Sequence, residues 1–212
     1  MNAQPIHFKP SAGFRDRAKA VVDNPFLRQS FRGAMDFLMT KRAAQFPDAE
    51  ELESLRTLGE HIRQYNLGKL PDLLVKLEAN LTRNGIHVHW AETPDEANEI
   101  IVGICKRRAA RLMVKGKSMV SEEIELNHAA EAAGIGALES DMGEYIVQLA
   151  GEKPSHIIMP AIHKTREEIA TLFHEKVPGV DYTDNVDALI QIGRGVLREK
   201  FLEADIGLSG VN

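Results

Sequence analysis

Residues 112–151 read LMVKGKSMVSEEIELNHAAEAAGIGALESDMGEYIVQLAG, and the order of elements in this stretch is the basis of the predicted architecture. Its short apolar runs, Leu112–Val114 and Ala137–Glu139, have the length of buried strands, and amphipathic helical segments separate them from their neighbours. Gly134 and Gly151 stand where the C-terminal caps of helices belong. Strands that alternate with helices predict right-handed crossovers and a mainly parallel sheet with flanking helices, the α/β class.

The same alternation continues on both sides of this stretch. Further strand-like runs are Ile86–Trp90, His156–Met159 and Asp205–Leu208. Thr93–Glu96, with proline at the first helical position, and Thr165–Glu168 have the pattern of capping boxes, which mark helix starts. We therefore predict an α/β domain over residues 86–212.

The preceding residues, 1–85, are predicted to form a helical N-terminal region. Apolar residues such as Phe31, Met35 and Leu38 recur there at helical spacing. Breaks are expected at Pro47–Asp48, Asn66–Gly68 and Asn84–Gly85, which leaves a long helix, a medium helix and a third helix near Leu70–Arg83.

Composition excludes several classes of protein. With 212 residues, 43% of them hydrophobic, the chain is long enough to bury a core as one domain or as one domain with an extension. The net charge of −5 and the scattered Lys and Arg residues argue against a nucleic-acid partner. There is no run of about 20 apolar residues and no secretory signal, so we expect a cytoplasmic protein without a membrane span.

A single cysteine, Cys105, limits the cofactors that this chain can hold. It excludes an internal disulfide and a cysteine-rich zinc site. It also excludes an iron–sulfur cluster held by this chain alone, because such a cluster needs about four thiolates. We predict no metal and no cofactor in this chain.

The candidate site lies where the predicted strands end, because ligands of open parallel sheets bind outside the carboxyl ends of the strands. Glu144 and His163 are the candidate catalytic residues, each placed where a general acid or base could act. The polar and basic loops predict a site for a small carboxylate or phosphate. The candidate anion-binding residues are Lys115, Lys117, Ser118, Glu122, Gln148, Lys164, Gly210 and Asn212.

A purely structural interpretation of the Lys115–Ser118 run stays open. The run lacks the spacing of a phosphate-binding P-loop. In this interpretation Lys115 and Lys117 are exposed strand-end charges, and Ser118 or Ser121 caps the next helix.

Other conspicuous residues are weaker candidates. His87 and His89 would share one face of a strand, but no third metal ligand is identifiable. Cys105 falls on an apolar helix face and is expected to be a buried, inert thiol. Gly193 and Gly195 interrupt a helical stretch and are expected to permit close helix packing.

Three long runs, in this order, carry a family resemblance. They are VKGKSMVSEEI at 114–124, GEYIVQL at 143–149 and PSHIIMPAIHK at 154–164, and RQYNL at 63–67 precedes them. They resemble the LUD-domain family, and within it the iron–sulfur branch that serves lactate utilisation. The resemblance covers most of the chain.

The resemblance implies a LUD domain related in fold to the sugar-phosphate isomerase and CoA-transferase group. It also implies a cytoplasmic three-protein system that oxidises L-lactate to pyruvate, with the other subunits of that system as partners. Full-length relatives carry two 4Fe–4S clusters in a C-terminal region. Because this chain stops at Asn212, before the last LUD strands and every cluster ligand, we expect a C-terminally truncated piece that is inactive alone.

Three functions follow as hypotheses. The first is the LUD portion of an electron-transfer protein in L-lactate oxidation. The second is a stand-alone enzyme for a sugar phosphate, an acyl-CoA or another small anion, with Glu144 as base or nucleophile and Lys117, His163 and Lys164 as anion clamps. The third is a scaffold whose N-terminal helices bind a partner protein.

Overall fold

The computed structural model of this protein describes residues 13–152, 154 and 159–210. It divides into two compact units, Met1–Pro47 and Asp48–Asn212. The boundary predicted after residue 85 stays a prediction about where the α/β domain begins. Across the described ranges, no helix combines the length and the apolar character that a membrane span requires.

Two helices make up the described part of the first unit, α1 (Phe14–Asp23) and α2 (Pro25–Gln45). The prediction of a single long helix before Pro47 is therefore wrong at Asn24. The Asn24 side-chain oxygen accepts a hydrogen bond from the Leu27 backbone N–H at 3.1 Å. An N-cap asparagine followed by proline at the first helical position is a strong start signal, so a new helix begins at Pro25.

The second unit contains eight helices and three strands within the described ranges. In chain order they are α3 (Ala49–Gly68), α4 (Leu70–Arg83), α5 (Pro94–Arg107), β1 (Leu112–Lys115), α6 (Met119–Glu123), α7 (Leu126–Ala132), β2 (Gly136–Glu139), α8 (Met142–Ala150), α9 (Arg166–Lys176), α10 (Val186–Glu203) and β3 (Ile206–Leu208). The helix breaks predicted at Pro47–Asp48 and Asn84–Gly85 are confirmed, since α3 follows Asp48 and α4 ends before Asn84. The break predicted at Asn66–Gly68 is wrong in place, because these residues belong to α3 and Lys69 separates α3 from α4.

The three strands form one parallel sheet in the order β2-β1-β3. Lys115 at the end of β1 stands opposite Glu139 at the end of β2. At the other end of β1, the Asp205 carboxylate accepts hydrogen bonds from the backbone N–H groups of Arg111 and Leu112 at 2.7 and 3.1 Å. The predicted α/β class, the parallel sheet and three of the predicted strands are thus confirmed.

The strand predicted at Ile86–Trp90 is wrong, since these residues have no regular secondary structure. Ile86 and Trp90 are 49% and 58% exposed, and the Trp90 indole N–H donates to Glu78 on α4 at 3.0 Å. An apolar run forms a strand only where a neighbouring strand supplies hydrogen-bond partners, and no described strand pairs with this one. The strand predicted at His156–Met159 lies outside the described residues, apart from Met159.

Local signals at the helix ends behave as predicted. Gly134 and Gly151 adopt the left-handed conformation, with φ of 78° and 69°, which ends a helix without a Cβ clash. Thr165 and Glu168 form a complete capping box. At Thr93 only half of the box is present, because the Glu96 carboxylate accepts from the Glu92 N–H instead.

Buried side chains of the second unit form two groups. One includes Met113 and Leu126, and the other lies around Phe173. Gly193 belongs to the second region, and a Cβ there would lie 2.5 Å from the Met142 sulfur. The predicted close packing is therefore confirmed at Gly193 and wrong at Gly195, where a Cβ would meet nothing within 4 Å among the described residues.

Gln148 on α8 covers the outer edge of β2. Its amide N–H donates to the Ala137 carbonyl at 2.7 Å, and its amide oxygen accepts from the Glu139 N–H at 3.0 Å. These are the two backbone groups that a further strand would otherwise pair with. The side chain therefore satisfies an edge that could template association with another chain.

Substituting Gln148 with alanine is expected to lower the free energy of unfolding by about 1–3 kcal/mol, because two edge groups of β2 lose their partners. Urea denaturation followed by circular dichroism measures this loss. Gln191→Ala, on the exposed surface of α10, is the matched control. Equal stabilities of the two variants would contradict a structural role for Gln148.

Candidate functional site

A buried ion pair lies at the carboxyl end of the sheet. The Lys115 ammonium is 2.7 Å from the Glu139 carboxylate, and the two residues are 1% and 6% exposed. They meet because both are the last residues of adjacent parallel strands in the same register. The structural interpretation of Lys115 as an exposed strand-end charge is therefore wrong.

Asn127 on α7 completes this pair. Its amide oxygen accepts from the Lys115 ammonium at 2.9 Å, and its amide N–H donates to the Glu139 carboxylate at 3.0 Å. Sequence reasoning missed both Asn127 and Glu139 as site residues. The available signal was their position, since Glu139 ends a strand and Asn127 lies beside the buried Leu126 at the start of α7.

Glu144, in the first turn of α8, is the most unusual ionisable group of the site. It is only 5% exposed, and its Oε2 atom has no hydrogen-bond partner among the described residues. Burial raises the pKa of this carboxyl to about 7, and the negative charges of Glu139 and Asp141 act in the same direction. A carboxyl with this pKa exchanges a proton near neutral pH.

Glu122 on α6 is the neighbour of Glu144. Both residues line the same cavity, and the charge of Glu122 raises the pKa of Glu144. Desolvation and the charge of Glu139 raise the pKa of Glu122. The two glutamates, which lie on helices that follow different strands, therefore form a carboxyl pair.

A cavity of about 140 Å³ adjoins this pair. It is lined by Glu122, Asn127, Glu139, Glu144, Val147, Gln148, Glu152 and Pro154. A wider cavity of about 540 Å³ shares Glu122, Asn127 and Gln148 and adds Lys115. The structure thus brings Lys115, Glu122, Glu144 and Gln148, four of the residues predicted from sequence, to the walls of two cavities that share lining residues.

Other predicted residues lie beside the strand ends. Lys117 is 3.4 Å from Asp141, the residue that caps α8. Ser118 caps α6, and its hydroxyl accepts from the Ser121 N–H at 3.2 Å, which confirms the capping interpretation for Ser118. Gly210 packs so closely on Ser118 that a Cβ would lie 2.7 Å from the serine Cβ. Asn212 lies outside the described residues.

His163 and Lys164 both contact Glu152. The His163 Nε2 atom is 2.7 Å from Glu152 Oε2, and the Lys164 ammonium donates to the other carboxylate oxygen. The hydrogen bond from Lys164, together with that from His163, lowers the pKa of Glu152. Glu152 lines the cavity, so His163 and Lys164 contact a residue of the cavity wall.

The lysines proposed to bind an anion are each next to a carboxylate: Lys115 pairs with Glu139, Lys117 with Asp141 and Lys164 with Glu152. Their charges are therefore partly balanced within the protein. Anion binding stays a prediction.

Metal ligands do not cluster in the described part of the chain, where no group of three or more His, Cys, Asp or Glu residues could hold an ion. His87 and His89 are exposed and lie outside any strand. Cys105 is 1% exposed, and burial raises the pKa of its thiol, as expected for an inert cysteine.

Comparisons with known proteins give a consistent result. The family model of the LUD domain matches residues 74–212. The chain is 41% identical over 199 residues to lactate utilization protein B of Bacillus cereus (strain AH820), and equally to that of Bacillus thuringiensis (strain Al Hakam). These alignments cover 94% of this chain but only 42% of either relative. No solved structure matches the chain.

Proposed function

Because this chain belongs to the LUD-domain family, we propose that it is the LUD-domain portion of a protein that takes part in lactate utilisation. The observation that carries this function is the 41% identity to lactate utilization protein B over 94% of the chain. The chain spans 42% of the length of these relatives. The activity of a whole lactate utilization protein is therefore part of the proposal and is not assigned to this chain alone.

In its finer form, the proposed role is participation in the oxidation of L-lactate to pyruvate, with electron transfer through iron–sulfur clusters and with other subunits of the system as partners. The residues of this chain do not fit such a cluster. Its one cysteine, Cys105, is buried, whereas a cluster needs about four thiolates. Under this proposal, the thiolates that hold the clusters would have to come from outside this chain.

One observation favours a second candidate function, a stand-alone enzyme. The pKa of Glu144 is raised to about 7, which suits a general acid or base at neutral pH. Turnover of a sugar phosphate or an acyl-CoA by this chain, lost in Glu144→Gln, would support that function. Under the leading proposal we expect no turnover.

A chimera tests the leading proposal. In a Bacillus cereus strain that lacks lactate utilization protein B, the matched segment of that protein is replaced by this chain. We expect the chimera to restore growth on L-lactate, because the replaced segment has the same role. Growth on pyruvate is the control, since it bypasses the oxidation step.

A chimera that accumulates normally but does not support growth on L-lactate would contradict the proposed role. A matched chimera with Lys115→Met, which removes the buried ion pair, is expected to accumulate poorly. A strain that carries it should not grow on L-lactate but should still grow on pyruvate. Immunoblotting of both chimeras separates loss of the protein from loss of its function.

A further inference from the structure

One face of α3 has an apolar stripe that the described part of the chain does not bury. The stripe consists of Leu55, Leu58, Ile62 and Tyr65, each at least 47% exposed, and α3 has no buried residue. These residues follow one another at intervals of three, four and three positions, so they lie along one side of the helix. Alternating intervals of three and four are typical of the contact face of a coiled coil.

A charged residue extends this stripe at each end. Glu51, in the first turn of α3, lies seven positions before Leu58, and Lys69, at the C-cap, lies seven positions after Ile62. Both side chains are exposed. The Lys69 ammonium lies 4.2 Å from the centre of the Tyr65 ring, at the end of the stripe. We call the six residues together the α3 seam: Glu51, Leu55, Leu58, Ile62, Tyr65 and Lys69.

The α3 seam is complementary to itself when two copies run antiparallel. Its residues are symmetrical about position 60. Antiparallel pairing of two copies therefore brings together Glu51 with Lys69, Leu55 with Tyr65, and Leu58 with Ile62. A two-fold axis forms each of these contacts twice. Parallel pairing would instead set Glu51 opposite Glu51 and Lys69 opposite Lys69, where like charges repel.

We propose that α3 docks antiparallel on the α3 of a second copy of this chain, along the α3 seam. The apolar contacts lie in the middle of the interface, and an ion pair between Glu51 and Lys69 lies at each end. The antiparallel arrangement also brings the positive end of each helix dipole near the negative end of the other. Because α3 precedes residues 74–212, which the LUD-domain model matches, the proposal does not depend on a role in lactate utilisation.

The charges of α3 favour a second copy over an anionic membrane surface. From Ala49 to Lys69 the chain has four acidic and three basic residues. Helices that bind anionic lipid have an excess of Lys and Arg on their polar face. The α3 seam has opposite charges at its two ends, so it fits a surface with the same charges in reverse order. A second copy supplies that surface.

The short seam predicts a weak, reversible dimer. A helix of 20 residues is about 30 Å long, so the interface is at the small end of specific interfaces. We expect a dissociation constant on the order of 10 µM. Sedimentation equilibrium of this chain from about 1 to 300 µM measures it, and the average mass should rise from that of one chain towards twice that mass.

Replacing Leu58 with serine tests the apolar part of the seam. The substitution removes two contacts with Ile62, one for each copy, and is expected to weaken the dimer by about tenfold or more. Leu67→Ser is the matched control, because Leu67 is 66% exposed and lies on the opposite face of α3. It should dimerise as the parent does. Circular dichroism checks that each variant is folded.

Exchanging the two end charges tests the antiparallel direction. Glu51→Lys and Lys69→Glu each place like charges opposite one another at both ends, so each is expected to weaken the dimer by about tenfold. The double variant, Glu51→Lys with Lys69→Glu, restores opposite charges and should recover the affinity of the parent. Loss of helical structure would not be corrected in this way.

Several results would overturn the proposed interface. A chain that stays monomeric up to about 300 µM would show that α3 does not pair with a second copy. A dimer that is unaffected by Leu58→Ser would form through another surface. A double charge variant that is as weak as the single variants would rule out antiparallel pairing along the α3 seam.

Discussion

Replacing Lys115 with methionine is expected to lower the free energy of unfolding by about 3–5 kcal/mol, one of the two largest effects that the structure predicts. The substitution leaves the Glu139 carboxylate buried without its cation. The Asn127 amide oxygen also loses the hydrogen bond that it accepts from the Lys115 ammonium. Methionine has a similar length and no charge, so the main change is electrostatic. Urea denaturation followed by circular dichroism measures the loss.

A second substitution distinguishes the charge effect from a packing effect. In Lys115→Met combined with Glu139→Gln, the glutamine oxygen still accepts from Asn127, and neither residue of the former ion pair carries a charge. The double variant is expected to recover most of the lost stability, because removing both charges costs less than removing one. If it is as unstable as the single variant, the cost arises from packing and not from the unpaired carboxylate.

Lys200→Met provides the matched control for the buried pair. Lys200 pairs with Glu203 at 2.5 Å, but its side chain and that of its partner are 43% and 56% exposed. Exposed pairs are screened by solvent and contribute little, so this variant should resemble the parent. A similar loss in Lys200→Met and Lys115→Met would contradict the importance of burial.

Replacing Glu144 with glutamine is expected to change how stability depends on pH. The pKa of this carboxyl is raised from 4.5 to about 7 in the folded chain. Between these values the folded protein holds a proton that the unfolded chain has released, so stability falls as the pH rises. Below about pH 4.5 both states are protonated, and above about pH 7 both are ionised, so the dependence on this group levels off.

The size of this effect has an upper limit. One pKa unit corresponds to about 1.36 kcal/mol, so the loss is at most about 3 kcal/mol, and solvent in the adjoining cavity reduces it. The charged groups that set this pKa are Glu139 on β2, Asp141 before α8, Glu122 on α6 and, in the opposite direction, Lys117. Glutamine keeps the shape of the neutral carboxyl and does not titrate.

The measurement is the difference in unfolding free energy between Glu144→Gln and the parent at several values from about pH 4.5 to pH 8, so that other titrating groups cancel. The unfolding free energy of Glu144→Gln should increase relative to that of the parent as the pH rises through this range. Glu175→Gln, which removes an exposed carboxyl on α9, should follow the parent throughout. Parallel profiles of parent and Glu144→Gln would show that Glu144 is not held in its protonated form.

Much of the sheet and of the helix boundaries was predictable from local patterns. Leu112–Val114 and Ala137–Glu139 are strands, and Gly134 and Gly151 end helices, because backbone conformation at these positions depends mainly on neighbouring residues. The strand predicted at Ile86–Trp90 is wrong because strand formation depends on more than neighbouring residues. Whether an apolar run becomes a strand depends on a pairing partner that is distant in the sequence.

The candidate site shows the same division. The positions of Lys115, Glu122 and Glu144 after the strands predicted that they would gather at one edge of the sheet, and they do. That Asn127 bridges Lys115 and Glu139 was not predictable, because the contact joins three elements. The sequence indicated an accumulation of ionisable groups but not which of them would neutralise one another.

Residue order and local chemistry alone were sufficient for the α/β class, the parallel strands and the helix caps, since these depend on periodicity and on short-range hydrogen bonds. Packing alone decided that Lys115 is buried against Glu139 while Glu144 keeps an oxygen without a partner among the described residues. Charge balance and pKa depend on distances of a few ångströms between side chains far apart in the chain, and only the folded arrangement sets those distances.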